Sequence, residues 1–154
     1  ISSYFGKDRF YFRERFAGNE FRGGFEWGNA TATARWNHLF SNKLFSNLSL
    51  IFTQYQFQID ASERVNNEEV KLNFSSNIRD FGVKYDFDYL PHPDHKIKFG
   101  LASTLHRFTP SAIVFKADFA GINQNQKTGY DALESGIYIE DDWKINNRFK
   151  ANLG

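Results

Sequence analysis

The chain has 154 residues, with 19 Lys+Arg against 18 Asp+Glu and neither cysteine nor methionine. The near-balance of charge implies no basic surface for nucleic acid and no acidic tail, and the lack of cysteine excludes a disulfide framework or a thiolate metal site. No apolar run approaches the roughly 20 residues of a membrane helix and no signal-peptide core opens the chain; with no methionine even at position 1, a mature or cut chain is expected.

Aromatics dominate the apolar content, with 18 Phe, 7 Tyr and 3 Trp in a chain whose mean hydropathy is −0.56. Such residues must be sorted by strand alternation, not by contiguous runs. A first strand is expected over 1–5 and a second over 21–39, where Ala30, Ala32, Ala34 and Trp36 oppose Thr31, Thr33, Arg35 and Asn37. In the third, 43–59, Leu44, Leu48, Leu50 and Phe52 share a phase against Asn47, Ser49 and Thr53. The fourth, 70–90, alternates Phe81, Val83, Tyr85, Phe87 and Tyr89 with Asp80, Gly82, Lys84, Asp86 and Asp88. The fifth, 95–108, sets Ile97, Phe99, Leu101 and Leu105 against Lys96, Lys98, Gly100, Thr104 and His106. The sixth, 132–145, sets Leu133, Ile137, Ile139 and Trp143 against Glu134, Gly136, Tyr138, Glu140 and Asp142, with Asp141 the one charge in an apolar phase. A seventh is expected over 148–154.

The phase slips between Phe52 and Tyr55 and again between Ile78 and Phe81. Bulges, or strands that continue past a membrane, would each explain a slip. Pro91, Pro93 and Pro110 fall outside the strand cores, as ladder hydrogen bonding demands. Connections alternate in length: short at Phe40–Asn42, Pro91–Asp94 and Asn146–Asn147, long at Gly6–Glu20, Asp60–Glu69 and Thr109–Asp131. In an up-and-down meander this puts all short turns on one side, as in outer-membrane barrels with their periplasmic turns and longer external loops.

Alternation alone does not separate a membrane barrel from a soluble sandwich. Three features favour the barrel. Several strands exceed the roughly 5–6 residues usual in soluble sheets. Trp36, Tyr89 and Trp143 lie close to short turns, where an interfacial girdle would sit. The polar phase carries charge on nearly every strand, which suits a wet lumen. The expected fold is therefore all-β: an antiparallel up-and-down transmembrane β-barrel segment of about seven strands, with 1–154 as one partial barrel domain.

The run Tyr138-Ile-Glu-Asp-Asp-Trp143-Lys-Ile-Asn-Asn-Arg-Phe-Lys-Ala-Asn-Leu-Gly154 resembles a hairpin of TonB-dependent outer-membrane receptors. There an aromatic, an acidic or amide residue and a Trp lead into a tight turn, and the next strand ends in Asn-Leu-Gly. Residues Trp27 to Asn47, which include Ala-Thr-Ala-Thr-Ala-Arg-Trp-Asn-His, resemble barrel hairpins of the members that import glycans or peptides with a surface lipoprotein partner. The resemblance implies a larger barrel of about 22 strands, a plug domain and a TonB box, neither of which is present in this chain. It implies a Gram-negative outer-membrane location and energy-coupled import of a glycan, peptide or metal chelate, without covalent chemistry or a cofactor. Implied partners are membrane lipid, the rest of the barrel and its plug, the TonB complex through that plug, and a surface lipoprotein.

Several residue sets could carry function. Arg35, Lys84, Asp86, Asp88, Lys98, Glu140 and Asp142, with Asp80, Lys96, His106 and Glu134, would line one face. They form either a solvated lumen wall with charges paired across strands or a docking surface for a plug, for which Gly82, Gly100 and Gly136 would leave room. In the long connection 109–131, Lys116, Asn123, Gln124, Asn125 and Gln126 are candidates for meeting ligand. His92-Pro-Asp-His95 could be two metal ligands around a carboxylate, but a short turn explains it better. His38 and His106 are available to a hydrolase, yet no motif places a nucleophile beside either. The rival folds are a complete eight-stranded outer-membrane barrel serving as anchor, adhesin or enzyme, and a soluble β-sandwich or ligand-carrying barrel.

Overall fold

A computed structural model describes residues 1–16, 19–65, 68–117 and 120–154. Seven strands follow one another: β1 (Ser2–Phe16), β2 (Asn19–Ser41), β3 (Leu44–Val65), β4 (Glu68–His92), β5 (His95–Ala117), β6 (Ile122–Lys144) and β7 (Lys150–Leu153). They form one antiparallel sheet in the order β1-β2-β3-β4-β5-β6-β7. The fold is all-β and up-and-down, as the alternation predicts. The sheet is open: β1 pairs with β2 and β7 with β6.

The strands are far longer than the sequence pattern suggests, and the three expected long loops are corrected accordingly. Gly6–Phe16 and Asn19–Glu20 pair within the β1–β2 hairpin. Asp60–Val65 pairs with Glu68–Asn73, and most of 109–131 belongs to β5 and β6. Of those connections, residues 17–18, 66–67 and 118–119 lie outside the described residues. Gly121, at φ 61°, makes the turn into β6 in a conformation that costs other residues a Cβ clash. The last short turn is longer than expected. It occupies 145–149, where the Asn146 side-chain oxygen accepts from the Arg148 and Phe149 amides at 2.8 and 3.0 Å.

Neither phase slip is a bulge. Leu44 to Val65 pairs with Tyr89 to Glu68 in one unbroken register. The main irregularity is in β5 between Phe108 and Ser111, at Pro110, which is therefore inside a strand but at a bulge, where a missing N–H is tolerated. Pro91 likewise sits at the irregular end of β4, between Tyr89 and His92.

Candidate functional site

Because cross-strand partners point to the same side of a sheet, the register assigns every side chain to one of two faces. One carries Leu48, Val83 and Phe99; the other carries Lys84. On the Leu48 face, the half nearest the short turns is apolar in continuous rows. Phe52, Phe81, Leu105 and Leu133 form one row, and Leu48, Tyr85, Leu101 and Ile137 another. Phe87 stacks on Phe99 at 4.9 Å. Among the described residues no second layer covers these rows: Leu133 is 71% exposed and Ile137 88%. Among the described residues Ala117 is the sole buried hydrophobic side chain.

This band runs from 44 to 52 in β3, 81 to 89 in β4 and 97 to 105 in β5. A tilted strand needs about 9–11 residues to cross hydrocarbon, and the band has that height. Trp36, Tyr89 and Trp143 all fall on this face towards the short-turn end. Trp36 stacks on His38 at 5.3 Å and Trp143 on His95 at 5.5 Å. Asp141, the charge out of phase, meets His95 Nδ1 at 2.6 Å.

One row beyond Phe52 and Phe81 the Leu48 face becomes polar. From β3 to β6 its next members are Gln54, Arg79, Arg107 and Asp131, while Ala30 and Phe5 continue the row on β2 and β1. Further out come Gln56, Gln58 and Asp60 on β3, with Asn73 donating to Asp60. At the end of β1 and β2 the same face carries ion pairs. Lys7 and Arg9 meet Glu26, the latter at 2.9 Å. Arg13, Arg15 and Arg22 surround Glu20, with Arg15 at 2.6 Å. Hydrogen bonds from Arg15 to Glu20, from Lys7 to Glu26 and from Lys71 to Glu69 hold these carboxyls below their usual range.

The Lys84 face changes in the opposite sense. Near the short turns it is charged and paired. Asp80 accepts from Thr53 at 3.0 Å and meets His106 at 2.8 Å. Lys84 lies 3.3 Å from Asp86, which also accepts from Tyr138 at 2.7 Å. Lys98 meets Glu140 at 3.0 Å, Lys96 meets Asp88 at 3.9 Å, and Asn152 donates to Asp142 at 2.7 Å. Arg35 shares the face opposite Ser49. Of the three glycines expected to leave room, Gly100 does not: a Cβ there would lie 2.6 Å from the Tyr85 carbonyl oxygen and 2.8 Å from the Tyr138 ring. Gly136 has open space, and Gly82 only ordinary contacts.

Beyond Asp80 this face turns aromatic. Phe10, Phe25, Ile59, Phe74 and Ile113 form one cross-strand row, ending at Gln126. Phe12, Gly23, Ala61, Leu72 and Phe115 form the next, ending at Gln124, and the first four border a depression of about 460 Å³. Phe10 and Phe25 lie 5.1 Å apart and Phe12 and Phe21 5.7 Å. Sequence reasoning missed this surface, although the two phase slips were its signal.

The expected ligand-meeting set is in strands, not a loop, and it is divided. Gln124 and Gln126 end the aromatic rows, whereas Lys116 and Asn125 belong to the Leu48 face and Asn123 pairs with Lys116 through the backbone. His92 meets Asp94 at 3.3 Å, and no group of three or more potential metal ligands occurs among the described residues. Ser46 stands opposite His38, but its hydroxyl donates to the His38 carbonyl oxygen, not to the ring. No protein-family model matches this chain, and a search of curated proteins returns no match.

Proposed function

We propose that this chain is a sector of a bacterial outer-membrane β-barrel, and that the barrel belongs to a TonB-dependent transporter importing a bulky nutrient without covalent chemistry. The observation that carries the membrane reading is the exchange of polarity between the two faces. A single unpacked sheet with an exposed apolar band of membrane height is unstable in water but suited to lipid. Beyond the band the exterior must meet water, and there it becomes polar while the opposite face becomes aromatic. The reading makes the Lys84 face the lumen and the aromatic rows the wall of an external vestibule.

The two open edges support a sector of a larger closed barrel, since unpaired N–H and C=O groups at an edge cost several kcal/mol in hydrocarbon. They weigh against the complete eight-stranded barrel, and the single layer weighs against a soluble sandwich. The transporter assignment rests on the sequence of the hairpin 138–154, in which Asn152 bonds Asp142. A nutrient would meet the aromatic rows and Gln124 and Gln126, and a plug would be the partner of Lys84, Asp86, Lys98 and Glu140. Uptake in cells expressing the intact protein tests this. Growth on the imported nutrient should vanish when TonB is deleted, and growth indifferent to TonB would refute the energy coupling.

A further inference from the structure

Arg79 and Arg107 oppose each other directly on β4 and β5, on the Leu48 face, one row beyond the Phe81–Leu105 pair. Like charges directly opposite on adjacent strands repel, so this position favours an anion. Asp131 lies 3.6 Å from Arg107 but is 59% exposed, so it offsets the charge only weakly. Among the described residues Arg79 has no carboxylate partner. A depression of about 410 Å³ adjoins the pair, and its lining adds Lys127 with the amide and hydroxyl groups of Gln58, Ser75 and Asn77.

We propose that this depression holds the phosphate-bearing headgroup of an anionic membrane lipid whose acyl chains lie along the apolar band. The inference rests on the membrane reading above. Guanidinium forks match phosphate oxygens two at a time, and the surrounding amides and hydroxyls supply further donors. The position suits the ligand as well as the chemistry. Successive residues on one face are about 7 Å apart along a strand, so a lipid whose chains touch Phe81 and Leu105 carries its headgroup to the level of the two arginines. Further out on the same face, towards the far end of β1 and β2, Lys7, Arg9, Arg13, Arg15 and Arg22 outnumber Glu20 and Glu26, so the surface beyond the site is also basic.

The intact protein in detergent tests the site with two probes: lipid A bearing both phosphates, and lipid A stripped of them. Lipid retained per protein is counted by native mass spectrometry. The wild-type protein should retain the phosphorylated form about tenfold better, from two charge-assisted contacts. Arg79→Gln/Arg107→Gln should lose that preference, and Lys84→Ala, on the other face, should keep it. Equal retention of the two lipids by the wild-type protein, or a preference that survives the double substitution, overturns the site. The membrane reading fails separately: a protein that is folded and monodisperse without detergent removes both, whereas one that folds only in detergent yet shows no preference removes the lipid site alone.

Discussion

Phe52 and Phe81 face each other across β3 and β4 with ring centroids 5.2 Å apart, and they are the last apolar pair between these two strands on that side of the sheet. Their successors on the same strands are Gln54 and Arg79, also paired. No bulge intervenes, so the change from Phe to Gln and Arg reflects a change in what the face meets and not a rotation of the strand. On the membrane reading proposed above, hydrocarbon below this line and water above it account for both halves.

Charge placed in the apolar band should therefore be costly. Val83→Arg or Phe99→Arg in the intact protein should lose about 2–4 kcal/mol of folding stability near the midplane. Lys84→Ala, on the opposite face, removes only a half-exposed pair with Asp86 and should be mild. Denaturant titration into bilayers measures both, and equal tolerance would contradict the assigned facing.

How much of this was legible in the sequence depends on the level along the strand. Around Val83 and Phe99 the apolar phase alternates with charge, and period-2 reading finds both the strand and its face. Around Phe10, Phe12, Phe57 and Phe74 the same alternation exists with its phase reversed. Read as one continuous pattern it looks like noise, so the hairpin extensions read as loops. Pro110 and the polar run Asn123-Gln124-Asn125-Gln126 reinforced that reading, although a bulge accommodates the proline and the glutamines close aromatic rows. The opposition of Arg79 and Arg107 was not legible at all, because it depends on register between strands, which local pattern does not specify.

The far hairpin end should loosen in acid. Glu20, Glu26 and Glu69 have carboxyls held below the usual range by Arg15, Lys7 and Lys71 respectively. A depressed folded value means that their contribution is complete above the unfolded value, about 4.3, and is lost as pH falls through the folded one. Amide exchange at the ends of β1 and β2, compared with β4 at Val83, should rise selectively below about pH 4. Glu20→Gln with Glu26→Gln should show the fast exchange already at neutral pH.

Gly100 and Gly136 should respond differently to the same methyl group. Gly100→Ala drives a Cβ against the Tyr85 carbonyl and the Tyr138 ring and should cost about 1–3 kcal/mol. Gly136→Ala meets open space and should stay within about 0.5 kcal/mol. If a plug backbone lies against Gly136 in the intact protein, its substitution would instead impair transport while leaving barrel stability unchanged.

The two strand ends should label from opposite sides of the membrane. Cysteine at Gln124 in the intact protein should react with an impermeant maleimide on whole cells, and cysteine at Asn146 should not. Labelling of Asn146 in sealed cells would invert the topology.

The central claim is that the Leu48 face crosses from lipid to water between residues 81 and 79. Spin labels placed singly at the odd positions of β4 from 69 to 89, in the intact protein reconstituted into bilayers, measure this directly. Collision with oxygen, which concentrates in hydrocarbon, should be high from 81 to 87 and fall at 79. Collision with a water-soluble nickel chelate should do the reverse, low from 81 to 87 and high from 79 to 69. A profile with no crossing between 79 and 81, or with nickel access high throughout, would contradict the account.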